Sequence, residues 1–151
     1  MCRICDGDTM EDLHRDTQRL IAEGRWSLMA VTDHRPWTYT IGLADHGLPE
    51  LVMLGPNRRA AKVLDDLAGQ LLAGLGLEVG TRVTANGEHL LIGAVHPDHV
   101  ERGLVASWVA FHEWAGLPMR MQLFQVLTES DGPHPVLSAR SLASARNLLG
   151  L

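Results

Sequence analysis

The stretch "TRVTANGEHLLIGAV", Thr81 to Val95, constrains the fold more than any other part of the chain. Asn86-Gly87 stands between two runs with strand character. A two-residue connection of this kind takes a type I′ turn, which needs positive φ at both central residues, and Asn-Gly is the pair that best tolerates it. The segment therefore predicts a β-hairpin, and the chain must contain antiparallel sheet.

The rest of the chain supplies partners for that hairpin. "TMEDLHRDTQRLIAEG" predicts a helix, with Thr9 as N-cap, Asp12 three residues on and Gly24 as its stop; Met10, Leu13, Leu20 and Ile21 lie near one face. Trp26 to Val31, Trp37 to Leu43 and "ELVMLG" read as three strands with short links, an antiparallel meander. "NRRAAKVLDDLAGQLLAG" follows as a helix, with Ala60, Val63, Leu64, Leu67 and Leu71 at helical spacing. After the hairpin, Pro97 to Ala115 predicts a third helix with Val100, Leu104, Trp108 and Phe111 as its core stripe. "MRMQLFQVLTE" returns as a strand, and "SLASARNLLG" predicts a short C-terminal helix. The order α-β-β-β-α-β-β-α-β-α, without repeat or linker, predicts one α+β domain over residues 1–151. Its sheet is antiparallel or mixed, of about six strands, packed by three to four helices.

Charge narrows the function classes. The formal net charge is −5, Lys62 is the only lysine and the arginines are scattered. That argues against nucleic-acid binding, which rests on clustered cations. No apolar run approaches the roughly 18 residues that cross a bilayer. No charged-then-apolar leader is visible, so a bacterial-type cytoplasm is the expected location. Disulfides do not persist there, so the close pair Cys2 and Cys5 reads as metal or redox chemistry.

Two thiolates at C-x-x-C spacing can chelate a tetrahedral zinc, but they supply only half a site. The rest must come from histidines, with His14, His46 and His112 as candidates, or from a homodimer in which two C-x-x-C turns face each other. A redox pair is the alternative, because Cys5 lies just ahead of a helix N-terminus that favours thiolate. No strand precedes it, unlike the thioredoxin-like arrangement. Two chemically idle thiols are the third reading.

The second candidate is "YTIGLADHGLPEL". Tyr39, Thr40 and Glu50 are positioned to line a ligand pocket, and Gly42 and Gly47 allow sharp turns or close backbone approach. Strict alternation puts Tyr39 and Thr40 on opposite faces, which favours Tyr39 with Glu50 ahead of Thr40. The strand–Gly–turn–strand pattern is also found in flavin-binding split barrels, a fold-level analogy. No GxxxxGK[ST] or GxGxxG phosphate loop is present. In "HPDH", His96 and His99 read as surface residues at a helix start. His112, beside Phe111, reads as a half-buried packing residue.

Three segments in the right order resemble a bacterial family, domain-of-unknown-function family 4262. They are "CRIC" ahead of the first helix, "WTYTIGLADHGLPELVMLG", and "MQLFQV" near the C-terminus. Together they span Cys2 to Val126. Where family members continue with Trp, Asp and Pro-Trp, this chain reads "QVLTESDGPHPVL", keeping Asp131, Gly132 and Pro135 but no tryptophan. The resemblance implies no particular reaction. Two functions follow from the residues: a small soluble binding or accessory domain whose cysteines take zinc, or a small oxidoreductase-like enzyme with a ligand or flavin cleft near residues 39–50.

Overall fold

Thr9 opens the first helix with a complete capping box. Its hydroxyl accepts from the Asp12 N–H at 3.1 Å, and the Asp12 carboxylate accepts from the Thr9 N–H at 3.0 Å. The computed structural model describes residues 9–128, so Cys2, Cys5 and the predicted C-terminal helix lie outside the described residues. Helix α1 runs Met10–Ala22 and buries His14 and Thr17, while Met10 at its start is exposed. Strands β1 (Ser27–Val31), β2 (Trp37–Ile41) and β3 (Glu50–Leu54) form the expected meander. A single 3-10 turn, Ala44–His46, interrupts the β2–β3 link.

Helix α2 (Asn57–Leu72) buries Ala60, Val63, Leu64, Leu67 and Leu71, as their spacing predicts. The hairpin follows as β4 (Arg82–Ala85) and β5 (Glu88–Ala94). Its tip has φ of 50° at Asn86 and 74° at Gly87, the left-handed pair that the turn requires. The Asn86 N–H donates to Asp66 of α2, and Arg59 of α2 pairs with Glu88, so the tip is tied down.

The predicted third helix is two helices. Helix α3 (Pro97–Glu101) ends, the chain turns through Gly103 at φ 94°, and α4 (Ala106–Ala115) begins. Gly103 takes the positive φ that ends a helix cheaply. His96 caps α3, accepting from the Asp98 N–H, but His99 is fully buried rather than on the surface. The reversal at Gly103 brings the Leu104 N–H onto the His99 carbonyl and turns that side of α3 inward.

The last strand of the described residues, β6 (Leu123–Thr128), does not join an outer edge. The order is β1-β2-β3-β6-β5-β4, with β6 parallel to β3 and antiparallel to β5. The described residues thus form a single α+β domain on a mixed six-stranded sheet. Register sorts side chains between two cores. Leu51, Met53, Leu90, Ile92, Phe124 and Val126 pack under α2. Trp37, Tyr39, Ile41, Val52 and Leu54 pack with Leu104, Val105, Trp108 and Phe111 on the opposite face. No helix among the described residues is long and apolar enough to cross a membrane.

Candidate functional site

Glu50 begins β3 and is wholly buried. The β2–β3 ladder stops at Tyr39–Val52, two residues short of it. Past that point Thr40 replaces the missing backbone partner: its hydroxyl accepts the Leu51 N–H at 2.9 Å and donates to Glu50 Oε1 at 2.7 Å. The chain then bends at Gly42, where φ is 119° and a Cβ would stand 2.8 Å from Ile21 Cγ1. This bend aims three successive N–H groups at the carboxylate, from Gly42 at 3.0 Å, Leu43 at 3.1 Å and Ala44 at 3.2 Å. Trp108 Nε1 of α4 adds a fifth donor at 2.9 Å.

Five donors exceed the roughly four lone-pair sites of a carboxylate, so nothing is left for a substrate. Burial pushes the Glu50 carboxyl above its ordinary value, while the bonds from Thr40, Gly42, Ala44 and Trp108 pull it back down. Tyr39 lies on the same sheet face but works elsewhere: its hydroxyl accepts the Ser107 N–H at 2.9 Å. Burial pushes its phenol up, against that bond. With Trp37 donating to the Leu104 carbonyl at 2.8 Å, three side chains of β2 and β3 fasten the start of α4.

The sequence paired Tyr39 with Glu50 ahead of Thr40. The structure brings Thr40 into direct contact with Glu50, because the ladder opens there and alternation no longer separates the faces. All three residues are interior, with exposures of 1% or less.

The network continues from Trp108 to His112, whose ring stacks on the indole at 3.9 Å. His112 Nδ1 donates to the Pro118 carbonyl at 2.8 Å. Its Nε2 lies 3.3 Å from Asp45 Oδ2, and neither of these buried atoms makes a hydrogen bond of good geometry. His112 therefore sits between two surface segments, one containing Asp45 and one containing Pro118. The sequence reading that made it a packing residue missed this bridge, since Asp45 and Pro118 have no local relation to it.

Those two segments form the walls of an open groove of about 290 Å³, lined by Ala44, Gly47, Leu48, Pro49, Arg120, Met121 and Gln122. The Glu50 N–H, bonded to the Gln122 carbonyl at 2.8 Å, joins the walls at their base. A smaller depression of about 130 Å³ lies on the β4–β5 hairpin. Tyr39, Thr40 and Glu50 line neither.

Among the described residues, the three histidine candidates for a metal site each have separate partners. His14 packs against Phe111 and Trp114, His46 Nε2 bonds the Arg25 carbonyl at 2.9 Å, and His112 bridges the groove walls. Among the described residues no three His, Cys, Asp or Glu side chains are placed to hold one ion. Nothing among the curated proteins or the solved structures matches the chain. The model of the family described as "Domain of unknown function (DUF4262)" matches residues 20–135, which take in the whole sheet, the Glu50 network and both groove walls, and the chain belongs to that family.

Proposed function

We propose that this protein is a non-catalytic binding domain whose site is the groove between residues 44–49 and 120–122, and that its ligand is a small molecule with an apolar body and one acidic group. One observation carries the reading: the interior ionisable groups beside the groove hold its walls instead of facing it. Glu50 is saturated by five donors, and His112 spans Pro118 and Asp45. The lining offers Leu48, Pro49 and Met121 as apolar contacts and Arg120 as a cation, a recognition surface without a general acid or base. Its volume sits near the lower end of ligand pockets, about 300 Å³, which suits a small ligand.

Zinc at Cys2 and Cys5 belongs to the same reading as an accessory feature, supported by their spacing alone. A flavin-dependent oxidoreductase is less well supported, since Tyr39, Thr40 and Glu50 are enclosed in the interior.

The test is a ¹⁵N-amide titration with butyrate, benzoate and inorganic phosphate. Saturable shifts with a carboxylate at Gly47, Leu48 and Met121, lost in Arg120→Ala, are expected. No saturation at these amides below about 10 mM for any of the three would overturn the site.

A further inference from the structure

The carbonyl of Pro118 accepts from His112 Nδ1 at 2.8 Å. A carbonyl has no proton to give, so Nδ1 carries one, and in a neutral imidazole Nε2 is then a bare lone pair. That lone pair faces Asp45 Oδ2 at 3.3 Å, itself an acceptor when the carboxylate is ionised. Both atoms are buried, and among the described residues neither has a hydrogen-bond partner. Two acceptors set together away from water repel, and each is costly to leave unpaired. One added proton turns the same contact into a charge-assisted hydrogen bond.

We propose that His112 and Asp45 share a proton taken from solvent, and that this proton clamps together the two walls of the groove read above as a binding site. The side chain of Asp45 is 14% exposed against 2% for His112, so the proton enters from the Asp45 side. Asp45 belongs to the Ala44–His46 turn, and Ala44, Gly47 and Leu48 line one wall. His112 holds the chain that leads to the other wall: its carbonyl accepts the Leu117 N–H at 2.9 Å, and its ring holds Pro118. Protonated, the ring joins both segments. Deprotonated, it keeps Pro118 and loses its hold on the turn. The clamp is therefore closed at low pH and released as pH rises.

The other groups around the ring are accounted for. Trp108 stacks on it and Phe111 meets it edge-on, and neither titrates. Trp108 leads to Glu50, whose carboxylate is saturated by its own five donors. His14 lies beyond Phe111, 5.9 Å from that ring. His46, next to Asp45 in sequence, is turned to the Arg25 carbonyl. Glu113, the other charge on α4, is exposed, and Arg120 lines the opposite wall of the groove. Among the described residues, Asp45 is the carboxylate set against Nε2.

The test uses the full chain carrying Cys2→Ser and Cys5→Ser, in chelator, so that no zinc contributes. It needs no ligand, so the clamp and the binding reading of the groove can fail separately. NMR follows the His112 ring nitrogens and the backbone amides from about pH 5 to about pH 8, where an imidazole ordinarily changes charge. Nδ1 is expected to stay protonated throughout, while Nε2 gains a proton on acidification. The amides of Asp45, Gly47 and Met121 are expected to shift with the same midpoint as the ring. Hydrogen exchange at the Leu48 amide, corrected for its intrinsic pH dependence, is expected to quicken about tenfold as the clamp opens. Asp45→Asn offers Nε2 an N–H without the extra proton, so the wall amides should lose their pH dependence; His46→Gln should keep it. A ring that does not change charge in this range, wall amides with a different midpoint, or walls that still titrate in Asp45→Asn would overturn the proposal.

Discussion

Trp108 Nε1 donates to Glu50 Oε2 at 2.9 Å, joining α4 to the start of β3 across 58 residues of sequence. The bond makes the helix on one sheet face and the bend after β2 a single unit. Hydrogen bonds to a charged group contribute about 1.5–3 kcal/mol each. Trp108→Phe, which keeps the ring against the core, is expected to cost about that much in urea unfolding. Glu50→Ala strands several buried donors at once and is expected to cost at least about 3 kcal/mol. In the Glu50→Ala background Trp108→Phe should cost at least about 1 kcal/mol less than in wild type; strictly additive losses would show that the two residues act independently.

Glu50 also sets a pH dependence. Its folded-state value lies above its ordinary value of 4.5, with burial as the leading cause. A group shifted upward contributes stability that is complete below the unfolded value and is lost as pH rises through the folded one. The stability of wild type relative to Glu50→Gln is therefore expected to fall as pH rises from about 4.5. Denaturant midpoints at stepped pH values measure it. A wild-type advantage that grows over the same range would mean that the five donors outweigh burial.

Gly42 combines a backbone conformation that side chains rarely adopt with a neighbour 2.8 Å from any added Cβ. Gly42→Ala is expected to destabilise by about 1–3 kcal/mol. Adding Ile21→Val relieves part of the contact but leaves the backbone strain, so thermal melts should show partial recovery only. Full recovery would assign the whole effect to the Ile21 contact.

Zinc can be counted directly. Elemental analysis of protein purified without chelator is expected to find about one ion per chain if a histidine completes the site, or about half an ion if two chains share a Cys₄ site. The Cys2→Ser, Cys5→Ser variant should bind none. A wild-type protein without metal, with both thiols titrating freely, would remove zinc from the reading.

What the sequence revealed depended on whether the cause was local. The Asn86-Gly87 turn, the Thr9 capping box and the buried stripe of α2 are set within a few residues, and each is found where its pattern places it. The break at Gly103 was hidden because Val100 before it and Leu104 and Trp108 after it keep helical spacing across it. Glu50 was legible as an unusual charge opening an apolar strand. Its partners were not: alternation argued against Thr40, and no short-range signal ties residue 50 to residue 108. The groove walls were likewise invisible, since they meet only after β6 pairs with β3.

That pairing gives the chain an unusual order of assembly. β3 and β6 are the two middle strands, yet Glu50 opposes Leu123, near the end of the described residues. The β1–β3 meander and the β4–β5 hairpin can each form from neighbouring segments, but each then presents an open edge until β6 slides between them. Among the described residues the sheet is finished from the inside, by β6. Until Leu123–Thr128 has left the ribosome, a nascent chain lacks the strand that joins the two halves of the sheet.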